Sequence, residues 1–200
     1  MCVHSACERR MKQTVGILLA GGQSRRFGEP KAFAEYEGRP FYRYSVEALR
    51  PFCEDIVVVT RPEFVDQFPS DLRVTTDSDM FAGMGPLAGI LSAMELVDAE
   101  RYLVLPCDMP FITRDVMANL LARHQADVTG VTVEGKLHPL VSIWQATVKP
   151  TIRQALLDSN RRVMHVQALH DAEWIEGNLL TDQPALAFKN VNTPCELERG

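Results

Sequence analysis

Two adjacent glycines, Gly21 and Gly22, precede Arg25, Arg26 and Lys31 directly after an apolar run at residues 14–19. Without a Cβ, a glycine pair lets backbone N–H groups close on an anion. A turn that opens toward a helix N-terminus adds unpaired donors and a partial positive charge. That helix end is worth on the order of 1 kcal/mol, too little to hold a polyanion such as a nucleoside triphosphate. Arg25, Arg26 and Lys31 supply the cations that are needed, and a divalent metal is the usual further contributor. A Walker loop is excluded, because Glu29 follows Gly28 and Ala32 follows Lys31. The dinucleotide fingerprint also fails, since neither Gln23 nor Ser24 is a glycine. The bland alternative is a tight Gly-Gly turn flanked by solvated arginines.

The second candidate is Asp108, which ends the apolar run Tyr102, Leu103, Val104, Leu105, Pro106, Cys107. In open α/β sheets, ligands gather beyond the carboxyl ends of the strands. One carboxylate there is enough for Mg²⁺, which keeps several waters and shares the phosphates. Otherwise Asp108 caps the turn before Met109 and Pro110. Asp77, after a short run at 74–77, carries the same pair of readings: a nucleotide or metal contact, or a turn former. Cys107 reads as a small hydrophobe rather than a thiol catalyst.

The elements that must position these groups alternate. Residues 14–19, 56–60, 74–77 and 102–108 read as strands, the second a continuous β-branched run of the kind covered on both faces. Helices are expected over 41–50, stopped by Pro51, and from Pro86 through Leu96. Four strands with right-handed helical crossovers make a parallel sheet in a Rossmann-like three-layer α/β/α sandwich. Strands at 127–133 and 139–144, joined through Glu134, Gly135 and Lys136, extend it in antiparallel or mixed fashion. A helix follows over about 148–157. Residues 187–192 alternate like a strand, and Thr193, Pro194 and Glu196 match a capping box. A strand there would point Asn190 and Asn192 to one face.

With 200 residues and 46% hydrophobic content, residues 11–200 are expected to form a single domain, behind a flexible extension at 1–10. Met11 offers a second start. A net charge of -5 argues against nucleic-acid and membrane-surface partners. No apolar stretch approaches the roughly 20 residues of a membrane span, and the chain reads as cytoplasmic. Five cysteines without a C-x-x-C pair argue against a disulfide framework. The histidines lack metal-ligand spacing.

LAGGQSRRFGEPK at 19–31, GMGPLAGI at 83–90, LPCDMPF at 105–111, HPL at 138–140 and FKNVNTP at 188–194 together resemble the MobA family of molybdenum cofactor guanylyltransferases, over about residues 15–197. The resemblance implies the nucleotide-diphospho-sugar transferase type of fold. It implies an enzyme that joins GMP from GTP to the terminal phosphate of molybdopterin and releases pyrophosphate, with Mg²⁺ as cofactor. By the same resemblance, Leu19, Ala20 and Gly21 meet the nucleotide, Lys31 its phosphates and Asp77 the nucleoside. Asp108 would hold Mg²⁺, and Asn190 and Asn192 would face the pterin. Transient contacts with proteins that make or receive the cofactor are implied as well. Thr60 stands where better-studied members carry an asparagine. Its single hydroxyl lacks an amide's donor pair and carbonyl, which leaves CTP on molybdopterin, or an NTP on a sugar or polyol phosphate, as alternatives. The nucleophile is an ionised phosphate, so no general base is required. His138 reads either as strand-end packing or as a substrate contact, and Arg161 and Arg162 as a solvated pair or a second anion site.

Overall fold

Along the apolar runs, successive side chains sort to opposite faces, as the period of a strand demands. Val15, Ile17, Val57, Val59 and Val104 join one buried cluster, and Leu18, Ile56, Val58, Leu103 and Leu105 another. A sheet buried on both faces needs helices on both. The computed structural model, which describes residues 12–22, 30–193 and 196, supplies them.

In chain order the elements are β1 (Lys12–Leu19), β2 (Glu35–Tyr36), β3 (Arg39–Pro40), α1 (Phe41–Leu49), β4 (Asp55–Val59), β5 (Arg73–Thr75), α2 (Pro86–Leu96), β6 (Ala99–Pro106), α3 (Arg114–Arg123), β7 (Val128–Val133), β8 (Lys136–Gln145), α4 (Lys149–Leu157), α5 (Val163–Ala168), β9 (Ala172–Glu176) and α6 (Pro184–Ala187). One sheet of seven strands runs β5-β4-β1-β6-β8-β7-β9. β5, β4, β1 and β6 are parallel, β8 runs against β6 and β7, and β9 pairs parallel to β7. This is the expected α/β sandwich with a mixed extension. On one face α2, α4 and α5 contribute Leu87, Ile90, Ile152 and Val166; on the other α1 and α3 contribute Val46, Leu49, Met117 and Leu120.

Register explains why the functional side chains meet. Leu19 pairs with both Val59 and Pro106, and Val59 pairs with Thr75, so four strands end in one row. The ladder continues one step further: Ala20 N–H donates to the Val59 carbonyl (2.8 Å), Thr60 to Thr75 (2.9 Å) and Cys107 to Leu19 (3.0 Å). Whatever follows these strands emerges on one rim.

One sequence expectation is corrected. Residues 187–192 form no strand: Pro184 occupies the first turn of α6, and 188–192 carry on without regular structure. The buried residues Ala187, Phe188 and Val191 are spaced i, i+1, i+4, the pattern of a helical turn and its exit rather than of a pleat. The β2–β3 hairpin, α3, α5 and β9 are elements beyond those expected.

Candidate active site

The rim is built from the residues that follow β1, β4, β5 and β6. Gly21 and Gly22 continue from β1, and neither has a left-handed backbone. A Cβ added at Gly21 would meet only ordinary contacts at 3.9 Å, from Arg61 and the Thr60 backbone, and none is met within 4 Å at Gly22 among the described residues. Backbone angle and internal packing therefore do not require glycine here, and the open space in front of the pair suits a bound phosphate. Gly21→Val is accordingly expected to leave the melting temperature within about 2 °C of wild type while abolishing triphosphate binding in a calorimetric titration. Loss of fold together with affinity would return the glycines to a structural role.

Lys31 lies just beyond, in a tight turn in which Phe33 N–H donates to the Pro30 carbonyl (2.9 Å). Its ammonium donates to Asp108 Oδ2 (3.2 Å) and to Asn192 Oδ1 (2.7 Å). Residues widely separated in sequence thus meet at one cation. Asp108 is held by its own backbone as well, since its carbonyl accepts the Val191 N–H (2.9 Å). Its neighbour Cys107 is buried, and burial pushes its thiol up to about 12, which leaves it an inert hydrophobe.

Asp77 belongs to the α2 side of the rim. One carboxylate oxygen accepts the Gly83 N–H (3.2 Å), and the other stands 3.5 Å from where a Cβ on Gly89 would be. That same Cβ would stand 3.0 Å from Val59 and 3.2 Å from Leu19, so glycine lets α2 sit against the strand ends. Burial raises the pKa of Asp77, and the Gly83 hydrogen bond opposes the shift. Gly85, at φ 84°, turns the chain into α2, with Pro86 in its first turn.

Thr60 is buried and turns its hydroxyl back to the Ala20 carbonyl (3.4 Å). Beside it stands Arg61, a residue that sequence reasoning passed over. Its Nη1 pairs with Glu63 (3.1 Å), its guanidinium lies 4.7 Å from the centre of the Phe64 ring, and its buried Nε has no hydrogen-bond partner among the described residues. The signal was a lone arginine immediately after a buried strand.

On the other side of Lys31 lies a cleft of about 390 Å³ between the β7–β8 turn and α6 with the segment after it, lined by Lys136, His138, Phe188, Asn190 and Asn192 among others. Asn190 brings a buried Oδ1 without a hydrogen-bond partner among the described residues, whereas the Asn192 side chain goes to Lys31. Both residues line the cleft, but their side-chain oxygens differ in partner. His138 is buried and packs on Phe188 with ring centroids 5.6 Å apart. Its pKa is lowered by burial and by Lys136. Arg161 and Arg162 are exposed in the turn between α4 and α5. Arg25 and Arg26 lie outside the described residues, as do the 1–10 extension and Pro194 of the capping box. Of that box, Glu196 is described, and its carboxylate accepts the Asn192 N–H (2.6 Å), one residue before the expected Thr193 cap.

Among the described residues no cluster of three His, Cys, Asp or Glu side chains could hold a metal ion. A single carboxylate on the same rim as the open glycine turn fits the way Mg²⁺ travels with a nucleotide, through one or two carboxylates, waters and phosphates. No helix among the described residues is long and apolar enough to cross a membrane.

Known proteins match both the sequence and the fold. The chain is 36% identical over 198 residues to a probable molybdenum cofactor guanylyltransferase of Geobacillus sp. (strain WCH70), covering 94% of this chain and 98% of that protein. It is 38% identical over 183 residues to the one of Bacillus subtilis (strain 168), covering 90% of each. In three dimensions it resembles molybdopterin-guanine dinucleotide biosynthesis protein A from Archaeoglobus fulgidus, with a TM-score of 0.76 at 22% identity over 92% of this chain and 95% of that one. The fold also matches 2-C-methyl-D-erythritol 4-phosphate cytidylyltransferase from Thermus thermophilus, with a TM-score of 0.68 at 17% identity over 92% and 95% of the two chains. Residues 16–172, which carry the glycine turn, Lys31, Asp77 and Asp108, match the MobA-like NTP transferase domain, and the chain belongs to that family.

Proposed function

We propose that this enzyme transfers GMP from GTP to the terminal phosphate of the molybdopterin in the molybdenum cofactor, releasing pyrophosphate and forming the guanine dinucleotide cofactor. The observation that carries the reading is the Lys31 ammonium held between Asp108 on the nucleotide side and Asn192 on the cleft side. The names of the relatives, guanylyltransferases at 36% and 38% identity, supply the base and the acceptor.

An acceptor phosphate oxygen bonds to the α-phosphorus, and the bond from that phosphorus to the bridging oxygen of pyrophosphate breaks in line. Catalysis of this kind is positioning plus charge stabilisation. The backbone at Gly21 and Gly22 and the N-terminus of α2 receive phosphate oxygens, while Lys31 offsets negative charge near the reacting phosphorus. Asp108 would hold Mg²⁺, which supplies further neutralisation of the triphosphate when bound. Asp77 faces the nucleoside. The buried, unpartnered Asn190 Oδ1 suits an N–H of the pterin. His138, neutral at physiological pH because its pKa is lowered, acts in packing and as a wall of the cleft.

Base choice falls to Arg61, because the Thr60 hydroxyl is committed to Ala20. A guanidinium with Nε unpaired has a free edge for O6 and N7 of guanine once it swings off Phe64. Cytosine presents an amino donor where guanine has O6, and a guanidinium repels it. Product analysis with GTP, CTP and ATP in Mg²⁺ is expected to give guanylyl transfer only. Arg61→Ala should then lower the GTP-over-CTP ratio of kcat/KM by about 5- to 100-fold. A wild type that transfers CMP faster than GMP would make the enzyme a cytidylyltransferase.

A further inference from the structure

Beyond α6 no ladder holds the described residues, yet Asn192, an exposed residue, aims its side chain at Lys31. An exposed side chain on irregular backbone keeps one rotamer only if its own backbone is fixed. Two ties fix it. On one side Val191 N–H donates to the Asp108 carbonyl (2.9 Å). On the other, Glu196 Oε2 accepts the Asn192 N–H (2.6 Å), Glu196 N–H donates to the Thr193 carbonyl (3.1 Å), and the Glu196 carbonyl accepts from Lys189 Nζ (2.7 Å). Glu196 thereby buckles back onto Lys189, Asn192 and Thr193. The carboxylate pKa is lowered first by the Asn192 N–H bond and further by Thr193, Lys189 and Lys31.

Lys31 gains from this arrangement. A lysine ammonium sits on a flexible four-carbon stem and is placed only by the acceptors around it. Asp108 supplies one acceptor and Asn192 a closer one, and Asn192 depends on the Glu196 buckle. We infer that Glu196 is a positioning residue for the nucleotide half of the site: acting through Asn192, it fixes where the Lys31 ammonium stands when a triphosphate arrives. This rests on the reading that Lys31 meets the phosphates, and it makes the segment bordering the acceptor cleft a determinant of nucleotide binding too. Preorganisation of this sort raises affinity by removing the ordering cost from the binding step.

The test is a calorimetric titration of the full chain with the Mg²⁺ complexes of GTP, CTP and inorganic tripolyphosphate. Wild type is compared with Glu196→Ala, Glu196→Gln, Asn192→Ala and the Glu196→Ala/Asn192→Ala double variant, each with its melting temperature. Glu196→Ala should weaken all ligands that bind by about 3- to 10-fold, independently of the base. Glu196→Gln drops the charge but keeps an acceptor for the Asn192 N–H, and should recover most of the loss. The double variant should bind no worse than Asn192→Ala, because both residues act on one ammonium. Melting temperatures should agree within about 2 °C. Unchanged affinity in Glu196→Ala, additive losses in the double variant, or losses that track melting temperature would each overturn the inference. A wild type that prefers CTP to GTP would sink the guanine reading alone, since tripolyphosphate still reports on Lys31. A wild type that binds none of the three would sink both.

Discussion

Asp108→Asn is expected to lower kcat by on the order of 10³-fold or more while the protein stays folded. The substitution keeps the shape of the side chain and an oxygen for the Lys31 ammonium, now 3.2 Å away. What it removes is a carboxylate charge just beyond β6, and with it the ligand that would hold a hard cation in the proposed reaction. Such charge stabilisation is worth several kcal/mol in the transition state, and each step of about 1.36 kcal/mol is tenfold in rate. The fold has little to lose, because the Asp108 side chain is 27% exposed and its carbonyl still receives Val191. A partly exposed ion pair contributes about 1 kcal/mol or less, which corresponds to a fall of roughly 2–4 °C in melting temperature. Rates across an Mg²⁺ series, set beside a thermal melt, separate the two effects. Wild-type turnover at limiting Mg²⁺ would take Asp108 out of the reaction.

Lys31→Ala should lose about 2–4 kcal/mol of transition-state stabilisation, roughly 30- to 900-fold in kcat/KM, by analogy with loss of one charge-stabilising donor. Its ammonium also ties Asp108 to Asn192, so acceptor KM should rise together with nucleotide KM. Lys31→Arg is expected to rescue little. The position holds a point charge at 2.7 Å from one oxygen and 3.2 Å from another, and a planar fork sets its donors differently. Steady-state kinetics with each substrate varied in turn would decide. A variant in which nucleotide KM alone changes would contradict the shared role.

The parallel half of the sheet was readable because its physics is local. Val57 and Val59 pack to one face and Ile56 and Val58 to the other, and that double burial appears directly as an unbroken β-branched run. Pro86 announced the start of α2 in the same way. The strand expected at 187–192 failed because Phe188 and Val191 are buried by different neighbours: Phe188 packs on His138, and Val191 joins Ala34 and Phe41. Alternating apolar positions over so short a stretch cannot tell a pleat from the exit of a helix. α3 went unseen although Thr113 caps it by accepting the Val116 N–H and Val116, Met117 and Leu120 form its buried face. That signal was present, and its i, i+1, i+4 spacing is the evidence to look for. In the site, Asp108 and Lys31 could be singled out by type and place. Their direct contact, and the approach of Asn192, are products of tertiary packing that no local spacing encodes.

The sheet order has a bearing on biosynthesis. β1 is made before its partners β4 and β6; its β6 pairing joins Lys12 to Ala99 and Thr14 to Arg101, a closure of long loops that slows folding. The bond from Lys31 to Asn192 spans 161 residues. At roughly 5–20 residues per second of translation, the glycine turn and Lys31 emerge on the order of ten seconds or more before the amide that steadies the ammonium. A nascent chain therefore carries the glycine turn and Lys31 well before Asn192 and Glu196 are made, and the Lys31–Asn192 bond can close only late in synthesis.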